Sequence, residues 1–62
     1  MKVGDSVRVI GHNAEDGFNH HFEIGETGVI KSIDKKDGGI EVKADFWPYE
    51  QWLLASELEI VQ

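Results

Sequence analysis

The sequence predicts an all-β fold in which five short antiparallel strands close into a small, strongly bent barrel. Two observations lead to this prediction: apolar and polar residues alternate with a period of two along several short runs, and turn residues separate those runs. Closing a small sheet on itself also protects its edge strands. With 62 residues, the chain is expected to form one domain, residues 1–62, around a single core.

The first strand is predicted at residues 6–10, "SVRVI", because Val7 and Val9 would lie on one face and Arg8 on the other. Residues 11–28 follow with glycines, asparagines and charges but little periodicity, which indicates a long first loop. Loops of this length are usually functional or disordered. The loop is therefore a candidate location for binding residues.

A second strand, "TGVIKSID", and a third, "IEVKAD", are joined by "KKDGG". This segment predicts a tight hairpin, because Asp-Gly and Gly-Gly tolerate the positive φ angles that hairpin turns need. In the third strand we expect Ile40, Val42 and Ala44 to face the core. Pro48 cannot donate to a strand ladder, so the fourth strand is placed at residues 49–54.

The end of the chain predicts a short helical turn and a last strand. "ASELE" is expected to form a single 3₁₀ turn with Ser56 as its cap, since the segment is too short for an independent helix. "LEIV", residues 58–61, then forms the fifth strand.

Four segments, "VGDSVRVI", "GETGVI", "IDKKDGGIEV" and "ASELEIV", resemble the SH3-like barrels of the KOW type that occur in bacterial transcription factors and ribosomal proteins. The resemblance spans nearly the whole chain and implies an SH3-like barrel with a long, RT-like first loop. Similar openings and endings occur in a photosystem subunit of that fold, in small phage-encoded proteins and in plasmid-borne type II dihydrofolate reductases. In the KOW-like pattern, the paired Gly25 and Gly28 belong to the turn that leads into the second strand.

Composition limits the function classes. Twelve acidic and six basic residues give a net charge of −6, which repels phosphate backbones and disfavours nucleic-acid binding. The chain has no cysteine, as expected in a reducing cytoplasm, and so offers neither a disulfide nor a thiolate metal site. It shows neither the apolar region of a signal peptide nor an apolar run of about 18 residues. We therefore expect a cytoplasmic protein without a membrane segment.

The resemblance implies two possible functions, nucleic-acid contact and dihydrofolate reduction, which are alternatives to the protein-binding function described below. KOW-type barrels that touch RNA use basic loops, and a lysine strip on the distal hairpin offers a nucleic-acid or ribonucleoprotein contact. Its members are Lys31, Lys35, Lys36 and Lys43. The type II dihydrofolate reductases carry a pore glutamine that aligns with Gln51, but Glu50, Trp52 and Leu53 replace the family's valine, isoleucine and tyrosine. We expect no enzymatic activity and no cofactor, because no nucleophile or acid–base constellation is recognisable.

His12, His20 and His21 share the long loop with Glu15 and Asp16, and imidazole plus carboxylate is a ligand set that transition metals accept. The spacing matches no helical pair of metal ligands. We therefore expect surface histidines and no metal site.

The six aromatic residues are too many for a barrel of this size to bury. Alternation places Trp52 and Leu54 on one face of the fourth strand. The other face carries Trp47, Tyr49, Gln51 and Leu53. If the first pair is core, the second set is exposed, and contiguous exposed apolar surface usually marks an interaction site. In the alternative arrangement, the long loop folds over the fourth strand and Phe18 or Phe22 covers the rings.

These observations predict a monomeric, non-enzymatic module of phage or bacterial origin that binds an unidentified protein with a basic surface. The acidic loop beside the aromatic face would steer such a partner. The predicted partner-binding residues are Trp47, Tyr49, Gln51, Leu53, Phe18, Phe22, Glu15 and Asp16.

Overall fold

The computed structural model describes residues 1–13 and 20–61. Five antiparallel strands form one sheet in this part of the chain, which confirms the all-β prediction. The elements are β1 (Ser6–Val9), β2 (Thr27–Asp34), β3 (Gly39–Ala44), β4 (Glu50–Leu54), a 3₁₀ turn (Ala55–Glu57) and β5 (Leu58–Ile60). The strand order is β4-β3-β2-β1-β5, so β1 pairs with both β2 and β5.

The core follows the expected alternation in β1 and β3. Val7 and Val9 of β1 are buried, while Arg8 points outward and pairs with Glu59 of β5. The buried apolar side chains are Val7, Val9, Phe22, Ile30, Ile40, Val42, Ala44, Leu53 and Leu58. Burial of a large apolar side chain contributes about 1.5–3 kcal/mol, so this cluster is the main source of stability.

A β-bulge bends β2 near its middle. Ile30 and Ser32 pair with consecutive residues of β3, so Lys31 is an extra residue in the β2 ladder. Strict alternation is therefore interrupted, and Ile33 packs against the same core as Ile30 despite the odd spacing between them. The bulge thus lets the longest strand curve around the core.

The two glycines before β2 serve the backbone in different ways. Gly25 has a φ of +96° and lies in a turn in which Glu26 N–H donates to the Glu23 carbonyl oxygen at 3.1 Å. Gly28 lies where β2 approaches β3 closely. A Cβ atom at Gly28 would stand 2.5 Å from the carbonyl oxygen of Lys43. The turn into β2 therefore contains Gly25, whereas Gly28 lies inside the strand, where a side chain would not fit.

The predicted hairpin between β2 and β3 is present. The Asp34 carbonyl oxygen accepts a hydrogen bond from Gly38 N–H at 2.8 Å, and the Asp34 carboxylate accepts one from Lys36 N–H at 2.9 Å. Gly38 has a φ of +75°, the left-handed conformation that the sequence "DGG" anticipates.

The 3₁₀ turn lies where the sequence predicts it, but the assignment of Ser56 as its cap is wrong. The turn begins at Ala55, so Ser56 lies inside it, and the Ser56 hydroxyl accepts a hydrogen bond from Asn13 Nδ2 at 2.8 Å. The Glu57 carboxylate instead accepts a hydrogen bond from Leu54 N–H at 2.7 Å. This is the contact that an acidic third residue makes in a capping box.

Replacing Gly28 by Ala is expected to lower the free energy of unfolding by about 1–3 kcal/mol, because the added methyl group meets a backbone oxygen that cannot move independently. Gly11→Ala is the control, since a Cβ atom there would lie 4.0 Å from its nearest neighbour, the Cα atom of Glu57. Urea denaturation of both variants measures the difference. Equal stabilities of the two variants would contradict the close approach of β2 and β3.

Candidate partner-binding surface

The register between β3 and β4 decides which face of β4 is buried. Leu53 pairs with Ile40 of the core, whereas Trp52 pairs with Glu41 on the outer face. Leu53 is fully buried, so its assignment to an exposed partner-binding face is wrong. One predicted arrangement placed Trp52 and Leu54 in the core. Trp52 instead lies on the outer side of β4 and is 36% exposed.

Phe22 is also a core residue, so its assignment to a partner-binding surface is wrong. Its ring lies 5.2 Å from the ring of Tyr49, centroid to centroid, and Tyr49 is half-buried. The alternative in which the long loop covers the fourth strand therefore applies to Tyr49. The remaining predicted loop residues, Phe18, Glu15 and Asp16, lie outside the described residues.

Gln51 connects the long loop to β4. Its side-chain oxygen accepts a hydrogen bond from His21 N–H at 2.6 Å, and the residue is half-buried. A side-chain oxygen that already satisfies a backbone donor has a structural role. The predicted partner contact at Gln51 is therefore limited to the part of its amide group that stays accessible.

Among residues 1–13 and 20–61, the most exposed aromatic side chains lie in the connection between β3 and β4. Phe46 is 85% exposed and Trp47 is 59% exposed, and we call these two residues the aromatic tip. A tight turn follows, in which Tyr49 N–H donates to the Trp47 carbonyl oxygen at 2.8 Å. Trp47 was expected in the binding surface from the sequence, whereas Phe46 was not included. The position of Phe46 between the end of β3 and Pro48 is the only sequence signal for its exposure.

Three carboxylates lie at or beside the residues that flank the aromatic tip, Asp45 and Tyr49, and we call Glu23, Glu26 and Asp45 the acidic rim. Glu26 is a hydrogen-bond partner of the Tyr49 side chain, and Glu23 lies near enough to act on Tyr49 electrostatically. Asp45, which immediately precedes the tip, accepts a hydrogen bond from the Thr27 hydroxyl at 2.6 Å. These contacts join the start of β2 to the end of β3 and hold the rim beside the tip.

The environment of Tyr49 is apolar and negatively charged. Burial raises the pKa of the Tyr49 hydroxyl above its ordinary value, and the charge of Glu26, its hydrogen bond with Tyr49 and the charge of Glu23 raise it further. The neutral phenol is therefore favoured as a hydrogen-bond donor at this site.

The acidic rim takes no part in the ion pairs of the described residues. These pairs are Arg8–Glu59 at 3.0 Å and Lys31–Glu50 at 3.6 Å, and the rim is also absent from the contact between the His20 ring and Glu57 at 3.1 Å. The rim therefore combines three carboxylates with no cation partner in residues 1–13 and 20–61. Such an arrangement produces a negative potential that favours a positively charged ligand group.

The lysine strip is interrupted by acidic side chains. Lys31 Nζ lies 3.6 Å from the Glu50 carboxylate, and Lys43 pairs in register with the same glutamate. Lys35 and Lys36 are exposed at the β2–β3 turn. The strip therefore lacks a continuous positive potential where it crosses the sheet.

One buried polar pair was not expected from the sequence. His20 was interpreted as a surface histidine, but its side chain and that of Glu57 are both fully buried. His20 Nε2 lies 2.9 Å from the Gly11 carbonyl oxygen and 3.1 Å from the Glu57 carboxylate, and Phe22 N–H donates to His20 Nδ1 at 3.1 Å. The ring of His12 stacks on His20 at 4.2 Å. No local sequence pattern predicts this pair, because its members are far apart in the chain.

Within residues 1–13 and 20–61, no group of three or more His, Asp or Glu side chains is arranged to hold a metal ion, and no pocket is found. The same residues contain no helix whose length and apolarity would let it cross a membrane. Comparison of the chain with protein-family models, curated proteins and solved structures yields no match.

Replacing Glu57 by Gln is expected to lower the free energy of unfolding by about 2 kcal/mol or more, because the new amide group places a donor among buried donors. Glu59→Gln makes the same chemical change at an exposed residue whose only ion pair is with Arg8, and should cost about 1 kcal/mol or less. Chemical denaturation measures both. A Glu57→Gln variant as stable as Glu59→Gln would contradict the structural role of the buried carboxylate.

Tyr49 is the only tyrosine of the chain, so its ionisation can be followed by the ultraviolet absorbance of the phenolate. The pKa of Tyr49 should lie above that of a model peptide and should fall in Glu26→Gln. Because the folded pKa exceeds the unfolded value of about 10, the associated stability is fully present below pH 10 and is lost as the pH rises through the folded pKa. An unchanged titration curve in Glu26→Gln would show that the two side chains do not interact.

Proposed function

We propose that this chain is an SH3-like barrel that acts as a small, monomeric, non-enzymatic module of the cytoplasm, and that it binds a basic segment of a partner protein. One observation carries the proposal: the exposed aromatic tip of Phe46 and Trp47 lies beside an acidic rim that has no cation partner among the described residues. The contact region proposed from the structure consists of Phe46, Trp47, the accessible part of Tyr49 and the rim.

The order of elements supports the SH3-like part of the proposal. The strand order β5-β1-β2-β3-β4, the long connection after β1, the tight β2–β3 hairpin and the 3₁₀ turn before β5 follow the pattern that the KOW-like resemblance implies. The chain measures 25 × 21 × 20 Å, whereas a flat sheet is about 10 Å thick with its side chains. Such nearly equal dimensions favour a sheet that is curled around its core.

The chemistry of the surface supports a basic protein partner. Trp47 offers a large, rigid apolar area and a π-face on which an Arg or Lys side chain of the partner can stack. The carboxylates of the rim can then pair with the same or neighbouring cations, and the net charge of −6 accelerates their approach. An aromatic contact combined with charge pairing gives both area and selectivity for basic segments.

The two alternatives have weaker support. A nucleic-acid contact would use the lysine strip, but Glu50 neutralises Lys31 at 3.6 Å and the net charge is −6. A dihydrofolate-reductase-like site would use Gln51, whose side-chain oxygen binds the His21 backbone. The lysine strip therefore serves as the competing surface in the binding experiment.

The proposal is tested with partners recovered from the lysate of the source organism and then purified. We expect a direct partner whose contact segment is rich in Lys and Arg, and we expect Trp47→Ala to weaken its binding at least about tenfold through loss of the central aromatic contact. The affinity should also fall with added salt, because salt screens the carboxylates of the rim. Isothermal titration calorimetry with the purified partner gives both quantities.

Two controls separate the surfaces. Trp52→Ala removes the same side chain from the outer face of β4, and a double replacement of Lys35 and Lys36 by Ala removes charges from the hairpin; both should leave the affinity within about twofold. Tight binding of DNA or RNA that the double lysine variant abolishes would overturn the proposal in favour of the nucleic-acid alternative. Unchanged affinity in Trp47→Ala would overturn it as well.

A further inference from the structure

We propose that the buried His20–Glu57 pair is a proton-sensitive latch, which holds residues 20–22 against the 3₁₀ turn at neutral pH and releases them in acid. The inference goes beyond the binding function and rests on the hydrogen bonds of the two buried side chains. Both are fully buried, and none of their nitrogen or oxygen atoms is left without a hydrogen-bond partner.

The hydrogen bonds of His20 require a neutral ring. Nδ1 accepts a hydrogen bond from Phe22 N–H at 3.1 Å, so this nitrogen carries no proton. The ring proton is therefore on Nε2, which faces the Gly11 carbonyl oxygen at 2.9 Å and the Glu57 carboxylate at 3.1 Å. Protonation of Nδ1 would place a donor directly against the Phe22 donor.

The hydrogen bonds of Glu57 require an ionised carboxylate. Its Oε1 accepts a hydrogen bond from Leu54 N–H, and its Oε2 accepts one from Asn13 N–H, both at 2.7 Å. Oε2 also faces His20 Nε2 at 3.1 Å, so both lone pairs of this oxygen are in use. Adding a proton to Nδ1 of His20 or to Oε2 of Glu57 therefore disturbs a buried hydrogen bond.

Two titratable groups of the described residues contact the His20 ring. The Glu57 carboxylate, from the 3₁₀ turn, would attract an imidazolium, whereas His12, from the segment after β1, stacks on the ring at 4.2 Å and repels it once both are charged. Burying a second charge beside Glu57 also carries a desolvation penalty, and in buried pairs this penalty can exceed the attraction between the two charges. In the released segment, water solvates the proton, and exposed histidine titrates between about pH 5 and 8. Acid therefore favours release.

Amide hydrogen exchange of the full chain, followed by NMR, tests the latch. Between about pH 7 and about pH 5, the protection factors of the Phe22 and Asn13 amides should fall at least tenfold, whereas that of Val42 in β3 should change less than twofold. Protection factors that stay constant or rise in acid would overturn the proposal, because the imidazolium–carboxylate attraction would then prevail.

Variants assign the effect to His20. His20→Asn keeps an oxygen at the place of Nδ1 but does not titrate, so the pH dependence of Phe22 protection should disappear. His21→Gln replaces the neighbouring exposed histidine, whose backbone rather than side chain contacts Gln51, and should keep the wild-type profile. A pH dependence that persists in His20→Asn or is lost in His21→Gln would overturn the assignment.

The ring nitrogens of the wild-type protein give an independent measurement if His20→Asn does not fold. Their ¹⁵N chemical shifts should show an unprotonated Nδ1 at neutral pH and a protonation that coincides with the loss of Phe22 protection. A protonated ring with Phe22 still protected would contradict the latch. Release would also loosen the packing of Phe22 on Tyr49 and weaken partner binding in acid; that consequence rests on the proposed function, whereas the exchange measurement does not.

Discussion

The buried carboxylate of Glu57 is the interaction on which the arrangement of residues 11–13 and 20–22 depends. It accepts hydrogen bonds from Leu54 N–H at the start of the 3₁₀ turn and from Asn13 N–H beyond β1, and it faces His20 Nε2 at 3.1 Å. A fully buried charge is tolerated only where several donors surround it. One side chain therefore joins three parts of the chain that are separated in sequence.

The candidate surface depends on the same contacts. His20 accepts a hydrogen bond from Phe22 N–H, the Phe22 ring packs against Tyr49, and Tyr49 contacts Glu26 of the acidic rim. The position of the rim relative to the aromatic tip is thus linked to the buried pair through a continuous series of packed groups. Asp5, Asp34, Asp37 and Glu41 also take part in no ion pair of the described residues, so the rim differs from the rest of the surface by its place near the aromatic tip and not by its charge alone.

Sequence patterns were sufficient for part of the candidate site. Trp47 was placed on the exposed face of the fourth strand by alternation, and it is 59% exposed, although it lies before that strand, which begins at Glu50. Leu53 and Phe22 were assigned to the same surface and lie in the core instead. Alternation along β4 correctly separates Leu53 from Trp52, but it does not state which of the two faces another strand or loop covers.

The five strands, the β2–β3 hairpin and the 3₁₀ turn could be predicted from the sequence, because period-two patterns and Gly-containing turns involve only a few neighbouring residues. Which face of β4 is buried depends on tertiary contacts, because Leu53 lies in the core through its register with Ile40. The burial of His20 and Glu57 depends on tertiary contacts as well. A buried polar group is stable only with its partners in place, and these come from distant positions whose meeting no local pattern encodes.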